Sequence, residues 1–156
     1  MKAFTKEQCK TACRAFATVV LALPLCAFAA LGGQSASAET DRAAMDGSLR
    51  VLPGGKYTVH EIETASGTKI REYVSTGGNI FAVLWDGPVM PDLRQILGNY
   101  FERYTAATSA GQAGRRQIEV REPDLVVQAR GHMRAFSGKA YLPQALPDGV
   151  TPDELR

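Results

Sequence analysis

The two histidines, His60 and His132, are the side chains best suited to acid–base or metal chemistry, because imidazole titrates near neutral pH and binds metal ions. His60 lies in an alternating stretch beside Glu61, and His132 follows Gly131. Neither histidine has a second one two or four residues away, and no paired-acid motif supplies carboxylate ligands. The sequence therefore predicts no metal and no cofactor. It favours a structural role for both histidines and leaves them as weak catalytic candidates.

Motifs for a nucleophile or for phosphate binding are absent from the sequence. No Gly-x-Ser-x-Gly elbow occurs. Paired glycines at 32–33, 54–55 and 77–78 lack the neighbouring residues of a phosphate-binding loop, so we interpret them as turns and linkers. A Ser/His/Asp site assembled from distant segments is still compatible with the sequence.

Two groups of basic residues could bind an anion, namely Arg115 with Arg116 and Arg130 with Arg134. Charged residues in loops and at strand ends are usually just solvated, and this interpretation is favoured. Trp85 belongs to the string Trp-Asp-Gly-Pro, which could shape a small pocket at a corner of the chain. A core tryptophan that closes the sheet is the favoured alternative.

The balance of charge argues against nucleic acid as a partner. The chain has 156 residues, with 18 Lys and Arg against 16 Asp and Glu. Binding to a polyanion of that kind depends on many clustered basic side chains, so no nucleic acid is expected. The composition, with 45% hydrophobic and 22% charged residues, is that of an ordinary globular domain.

The N-terminal segment has the pattern of a cleaved signal peptide. Four basic side chains and one acidic side chain lie within residues 1–14, and an uncharged run follows at 15–30. The run is shorter than the roughly 20 apolar residues that span a bilayer as a helix. Small residues predict cleavage between Ala29 and Ala30, which removes residues 1–29 and leaves no stable membrane span. The remaining chain carries 14 basic and 15 acidic side chains and no cysteine.

Three alternatives stay open for this segment. The string Ala36-Ser37-Ala38 is a competing cleavage site, and an uncleaved membrane anchor is a second outcome. Acylation of Cys26 is a third, although the residue before such a cysteine is normally small and Leu25 is not. Cys9 and Cys13, four residues apart with no further ligand nearby, are weak support for a metal or redox site.

The 127 residues that remain after cleavage are enough for one domain and too few for two. Residues 30–55 are predicted to be a flexible lead-in rich in Ala, Ser and Gly. The folded body is predicted at 56–142, beginning near Lys56. A proline-containing C-terminal tail follows at 143–156 and is predicted to be largely extended.

Three short strands are predicted as a β-meander at 57–64, 68–75 and 79–85, separated by Gly-containing turns. The second has a mixed pattern that favours a place near a sheet edge. The third is apolar on both faces and is placed centrally. Strict alternation along this strand puts Ile80, Ala82 and Leu84 on one face. It puts Phe81, Val83 and Trp85 on the other face.

A helix is predicted from Pro91 to about Thr108, because apolar residues recur there at helical spacing. An aromatic stripe at helical spacing packs in a core more often than it binds a ligand, so we expect the aromatic residues of this helix to be buried. Further strands are predicted at 117–121, 125–130 and 132–142. The predicted fold is a single α+β domain, an antiparallel sheet of five or six strands packed on one amphipathic helix.

An ordered series of short strings runs through the chain after the signal peptide. The series resembles a small exported proteobacterial family, the domain of unknown function 2844. The resemblance covers essentially the whole chain after the signal and implies an envelope or secreted protein, without carrying over any catalytic or binding residue. The strings are Ala-Leu-Gly-Gly from 30, Tyr-Thr-Val-His-Glu from 57, Arg-Glu-Tyr-Val from 71, Phe-Ala-Val-Leu-Trp-Asp-Gly-Pro from 81, Pro-Asp-Leu from 91 and Gly-His-Met-Arg from 131.

The leading functional expectation is a non-enzymatic module, periplasmic or secreted in a Gram-negative cell, that binds an envelope protein, a peptide or a cell-surface component. It depends on the absence of a catalytic motif. The alternative is a small hydrolase-like enzyme that uses His60 or His132 with a carboxylate from another segment.

Overall fold

A seven-stranded antiparallel sheet forms the body of the protein, in a computed structural model that describes residues 30–35, 43, 46–109 and 117–156. The spatial order is β1-β2-β3-β4-β7-β6-β5, so a four-strand meander continues into the three C-terminal strands in reverse order. The predicted signal peptide, Ala29 and the Arg115-Arg116 pair lie outside the described residues. The strands are β1 (Ser48–Pro53), β2 (Tyr57–Glu63), β3 (Lys69–Ser75), β4 (Ile80–Gly87), β5 (Gln117–Arg121), β6 (Val126–His132) and β7 (Ala135–Tyr141).

Tight turns join the strands of the meander where the sequence predicts them. In the turn between β3 and β4, the Ser75 amide donates to the Asn79 carbonyl at 2.9 Å. Gly78 in this turn has a φ of 82°, a left-handed conformation that glycine adopts without the steric cost of a Cβ atom. These signals are local, which is why the meander can be predicted from sequence alone.

The helical segment connects β4 to β5. It consists of α1 (Leu93–Leu97), a 3-10 turn (Gly98–Tyr100) and α2 (Phe101–Ala107), within the predicted span. Asp92 caps α1, its Oδ1 accepting a hydrogen bond from the Arg94 amide at 2.9 Å. The predicted helix and the α+β class are thus confirmed.

Arg103 fastens α2 to the turn between β5 and β6. Its guanidinium donates to both carboxylate oxygens of Asp124, at 2.8 and 2.6 Å, and also to Glu122. These hydrogen bonds hold the pKa of the Asp124 carboxyl below its usual range. The contact therefore orients the helix relative to the far edge of the sheet.

Strand β1 begins well before Lys56, where the sequence predicts the folded body to start, and it raises the strand count above five or six. It pairs with β2 at the edge of the sheet, and its apolar side chains are largely exposed, Val51 by 53% and Leu52 by 41%. An exposed edge strand has no buried face to impose an alternating pattern, so periodicity did not reveal it. Backbone hydrogen bonds to β2 hold it in place instead.

Strand β4 lies at the centre of the sheet, as predicted, but it is not strictly alternating. Tyr73 pairs with Ala82 while Val74 pairs with Ile80, so Phe81 is an extra residue in a bulge. Ile80 therefore shares a face with Val83 and not with Ala82, and the predicted division of the strand into two apolar sets is wrong at its first two residues.

Strand β3 lies third from the edge of the sheet, not near it, because the unpredicted β1 extends the sheet beyond β2. Its Glu72 is buried, with 2% of its surface exposed. The last two strands also differ from prediction, since β6 continues through His132. His132 therefore ends β6 and does not start the final strand.

The two faces of the sheet are covered differently. On the first face, α1 and α2 supply Ile96, Leu97 and Tyr104 to a core that also contains Leu31. On the second face, the C-terminal segment 143–156 covers only one half. Its buried side chains Val150 and Leu155 pack with Tyr73, Phe81 and Ala82. Among the residues that the structure describes, none covers the other half of the second face in this way.

Candidate binding surface

The half of the second face that the described residues leave uncovered consists of side chains from five neighbouring strands, β3, β4, β7, β6 and β5. We refer to it as the open half. Successive side chains of a strand point to opposite faces, so strand register places these residues side by side. Arg71 is opposite Leu84, and Leu84 is opposite Lys139. In the neighbouring row Lys69 is opposite Asp86, which is opposite Ser137. The open half comprises Lys69, Arg71, Leu84, Asp86, Gln117, Gln128, Arg130, Ser137 and Lys139.

Three adjoining depressions shape the open half, with volumes of about 300, 310 and 490 Å³. Asp86 contributes to all three. The third extends beyond the strands to Pro88 and to Arg134 of the β6–β7 hairpin. Together they form a continuous shallow concavity centred on the end of β4.

The concavity is strongly basic, although the chain after the predicted cleavage has one more acidic than basic residue. Five basic side chains and one carboxylate, Asp86, line it. This concentration of positive charge on one surface attracts anions by elementary electrostatics. The basic residues are Lys69, Arg71, Arg130, Arg134 and Lys139.

Two of these cations already have partners within the protein. Arg71 Nε lies 2.7 Å from Glu61 Oε2 on the neighbouring strand, and Lys139 Nζ donates to the Pro152 carbonyl at 3.3 Å. By contrast, Lys69, Arg130 and Arg134 make no side-chain hydrogen bond or ion pair with any residue that the structure describes. As far as the described residues go, three charges can therefore contact a ligand without breaking an ion pair or side-chain hydrogen bond.

The hairpin between β6 and β7 places Arg134 at the rim of the open half. His132 pairs with Ala135, so Met133 and Arg134 form the turn. Arg134 has a φ of 63°, a conformation that non-glycine residues seldom adopt. Met133 at the tip is 92% exposed. The turn thus carries a basic and an apolar side chain out over the end of the concavity.

Trp85 supports the open half from behind. Its side chain is 2% exposed on the first face and lies directly over Gly138 of β7. The favoured interpretation of this residue as core is confirmed. The aromatic stripe of the helix likewise contributes buried Tyr104 to the core.

His60 lies on the first face of the sheet, away from the open half. Its cross-strand neighbours are Val51 and Glu72. Its buried Nδ1 has no hydrogen-bond partner among the described residues, and burial lowers the pKa of the imidazole. Glu72 therefore lies opposite His60 in the sheet. This pair lies on the face that packs against the core, and neither residue lines one of the three depressions.

His132 is exposed at the end of β6 and lines one of the depressions together with Asp86 and Ser137. These are the residue types of a Ser/His/Asp site. No hydrogen bond joins any two of the three side chains in the part of the chain that the structure describes. The two histidines are not brought together, because β3, β4 and β7 separate their strands.

Metal and membrane features were also sought in the described residues. Within residues 30–35, 43, 46–109 and 117–156, no three His, Cys, Asp or Glu residues are grouped so that they could hold a metal ion. Over the same ranges, no helix has the length and apolarity required to span a membrane.

Sequence reasoning identified part of this surface. The pairing of Arg130 with Arg134 was noted as a possible anion site, and both line the concavity. Lys69, Arg71 and Lys139 were missed, since they are separated by up to 70 positions in sequence and meet only through strand register. One sequence signal could have indicated part of this surface, because alternation along the predicted strand places Lys69 and Arg71 on the same face.

Comparison with known proteins assigns the chain to a family. Searches of curated proteins and of solved structures found no match. The sequence model of one family, described as a protein of unknown function (DUF2844), matches residues 27–155. Because the match covers most of the chain, including every strand and both helices, the protein belongs to the DUF2844 family.

Proposed function

We propose that this protein is an exported, non-enzymatic accessory module that binds an envelope protein or a cell-surface component through the open half of its sheet. The observation that carries the proposal is the uneven cover of the sheet. The helix covers the first face and the C-terminal segment covers half of the second. What remains is a basic concavity in which three cations have no partner among the described residues.

The N-terminal sequence supports the export part of the proposal. A basic segment, an uncharged run and small residues before Ala30 have the pattern of a signal peptide. Ala30 itself is 8% exposed and Leu31 is 2% exposed, so the two residues that directly follow the predicted cut are buried in the described core. Cleavage there leaves every residue of the described core intact.

A capture experiment tests the binding function. The purified protein is immobilised, exposed to an extract of the native envelope, and compared with the double variant Lys69→Glu/Arg130→Glu. A matched control, Arg50→Glu/Arg94→Glu, makes the same change in net charge at exposed positions outside the concavity. We expect retained protein or carbohydrate with the unmodified protein and the control, and loss of it with the Lys69/Arg130 variant. Equal retention by all three proteins would contradict binding at the open half.

The alternative is a hydrolase-like enzyme, and the specific observation in its favour is that His132 shares a depression with Asp86 and Ser137. His60 faces the core and offers a substrate no comparable access. Each histidine is replaced separately by Ala, and hydrolysis of a panel of chromogenic esters is measured with folding verified by circular dichroism. Hydrolysis that His132→Ala abolishes would favour the enzyme over the binding module.

A further inference from the structure

We propose that the ligand of the open half is an acidic oligosaccharide, one that carries both carboxylates and free hydroxyl groups. This inference rests on the proposed binding function and specifies the chemical class of the ligand. The basic side chains hold the anionic groups, and Asp86 with Ser137 accepts hydrogen bonds from the hydroxyls.

The spacing of the charges favours an oligomer over a single small anion. Lys69, Asp86, Ser137 and Arg130 are consecutive neighbours across four strands. Adjacent strands lie about 4.8 Å apart, so the backbones of Lys69 and Arg130 are separated by roughly 14 Å. A ligand that contacts both must be extended, with anionic groups about this far apart and hydrogen-bond donors between them.

Asp86 distinguishes a saccharide from a simple polyanion. Its exposed carboxylate lies among five basic side chains, yet it makes no ion pair or side-chain hydrogen bond with any described residue. A carboxylate at the centre of the site repels phosphate, and it repels a polyacid that offers no hydroxyl to offset the repulsion. Because an ionised carboxylate only accepts hydrogen bonds, its natural partners here are the hydroxyls of a sugar.

The surface is poorly suited to a peptide. Peptides that bind sheets usually add to an exposed edge or insert side chains into apolar pockets. Here the surface is a sheet face, and the four strands that carry its charged side chains, β3, β4, β7 and β6, are each paired on both sides. Leu84 is the one apolar side chain between the cations of β3 and β7.

Nucleic acid is also disfavoured by this surface. Proteins that bind single strands stack bases on aromatic rings. The described aromatic rings of the second face, Tyr57, Tyr73, Phe81 and Tyr141, belong to the half that the C-terminal segment covers. An extended acidic sugar, which needs neither stacking platform nor apolar pocket, fits the open half best.

Isothermal titration calorimetry with defined probes tests this inference. The purified protein is titrated at low salt with an oligogalacturonate, a neutral galactose oligomer of equal length, and a polyglutamate of similar charge. We expect binding of the oligogalacturonate, little or none of the neutral oligomer, and weaker binding of polyglutamate. Lys69→Ala/Arg130→Ala should reduce the affinity for oligogalacturonate at least about tenfold, and Arg50→Ala/Arg94→Ala should leave it within about twofold.

The Asp86→Ala variant separates sugar recognition from charge attraction. It makes the concavity more positive, so a ligand held by charge alone should bind more tightly. If Asp86 accepts hydrogen bonds from hydroxyls, the affinity for oligogalacturonate should instead fall by about fivefold or more. Tighter binding by Asp86→Ala, equal affinity for polyglutamate, or no binding of oligogalacturonate would each overturn the inference. If the capture experiment still succeeds in that last case, binding at the open half stands and only the ligand class is wrong.

Discussion

The Trp85 ring of β4 lies directly across Gly138 of β7. A Cβ atom on Gly138 would lie 2.3 Å from Trp85 Cζ2 and 2.7 Å from the Gln128 carbonyl oxygen. Neither neighbour can move easily, because the ring is buried and the oxygen belongs to the backbone. Glycine is therefore required by close approach, not by its backbone conformation.

We expect Gly138→Ala to lower the free energy of unfolding by about 1–3 kcal/mol through overpacking. Urea denaturation followed by the fluorescence of Trp85, the one tryptophan, measures the change. Gly55→Ala is the matched control, because a Cβ at Gly55 would meet no atom within 4 Å. Indistinguishable unfolding midpoints for the two variants would contradict this account of the packing.

His60 should make stability depend on pH in the mildly acidic range. Burial lowers the pKa of its imidazole in the folded state relative to the unfolded value of about 6.5. The unfolded state therefore binds the proton more readily, and stability is lost as the pH falls below about 6.5 towards the folded pKa. This loss is complete once the pH is below both pKa values.

Urea unfolding between pH 8 and pH 5 tests this prediction. We expect the unfolding free energy to decrease over this interval in the unmodified protein and to change much less in His60→Gln. The interval lies above the pKa values of Asp and Glu in unfolded peptides, about 3.9 and 4.3. His132→Gln serves as the control at an exposed histidine, and a similar flattening there would contradict the assignment to His60.

Among the elements, the C-terminal segment acts as a cover for the aromatic half of the second face. The Tyr73 hydroxyl donates to the backbone carbonyl of Arg156 and accepts from its amide, at 2.5 and 2.9 Å. Lys56 Nζ donates to the carbonyls of Asp148 and Gly149 at 3.0 and 3.2 Å. The tail predicted to be largely extended thus contains turns and is fastened at two points.

Leu155 is the apolar anchor of this segment, with 5% of its surface exposed. We expect Leu155→Ala to destabilise the protein by about 2 kcal/mol, near the lower end for buried leucine, because a terminal segment can readjust. Chemical denaturation and binding of an apolar fluorescent dye provide the measurement. Asp153→Ala, at an exposed position of the same segment, should change neither quantity. Equal effects of the two variants would argue against a covering role.

Element prediction succeeded where the signal is local. The turn glycines and the helical spacing of apolar residues located β2, β3 and the helical segment to within a few residues. It failed for β1, whose side chains are mostly exposed, and for the faces of β4, where a bulge at Phe81 shifts the alternation. Both errors concern features that depend on a partner strand, which periodicity within one strand does not report.

At the scale of the whole molecule, residues 30–35 are hydrogen-bonded to the helical segment and to the centre of the sheet. The Leu31 amide donates to the Ile96 carbonyl at 3.0 Å. The Gly32 amide donates to the Ile80 carbonyl at 2.8 Å, and the Ile80 amide donates to the Gly33 carbonyl at 2.9 Å. The Ser35 amide donates to the Gly78 carbonyl at 2.8 Å. The start of the predicted lead-in is therefore part of the structural core.

This arrangement separates the two predicted cleavage sites. Cleavage after Ala38 would remove the buried Leu31 and all of these hydrogen bonds, so a chain beginning at Glu39 should be less stable by about 3 kcal/mol or more than one beginning at Ala30. Thermal and urea unfolding of the two chains provide the comparison. Leu31→Ala in the longer chain, as a control, isolates the part due to apolar burial.

Intact mass spectrometry of the protein purified from the envelope then identifies the natural start. We expect the mass of a chain beginning at Ala30. A chain beginning at Glu39 with undiminished stability would contradict the structural role of residues 30–35. A lipid attached to Cys26 would overturn cleavage at Ala30 altogether.

The sequence by itself determined the fold class, the central position of β4 and membership of the family, because hydrophobic periodicity, turn chemistry and an ordered series of strings are all properties of the linear chain. It also indicated Arg130 and Arg134, which are close in sequence, as a possible anion site while favouring a solvated role. Only the tertiary structure decided which half of the second face the described residues leave uncovered and which side chains meet there. Lys69, Asp86 and Arg130 come from three strands and become neighbours through register alone, an outcome of long-range pairing that no local pattern encodes.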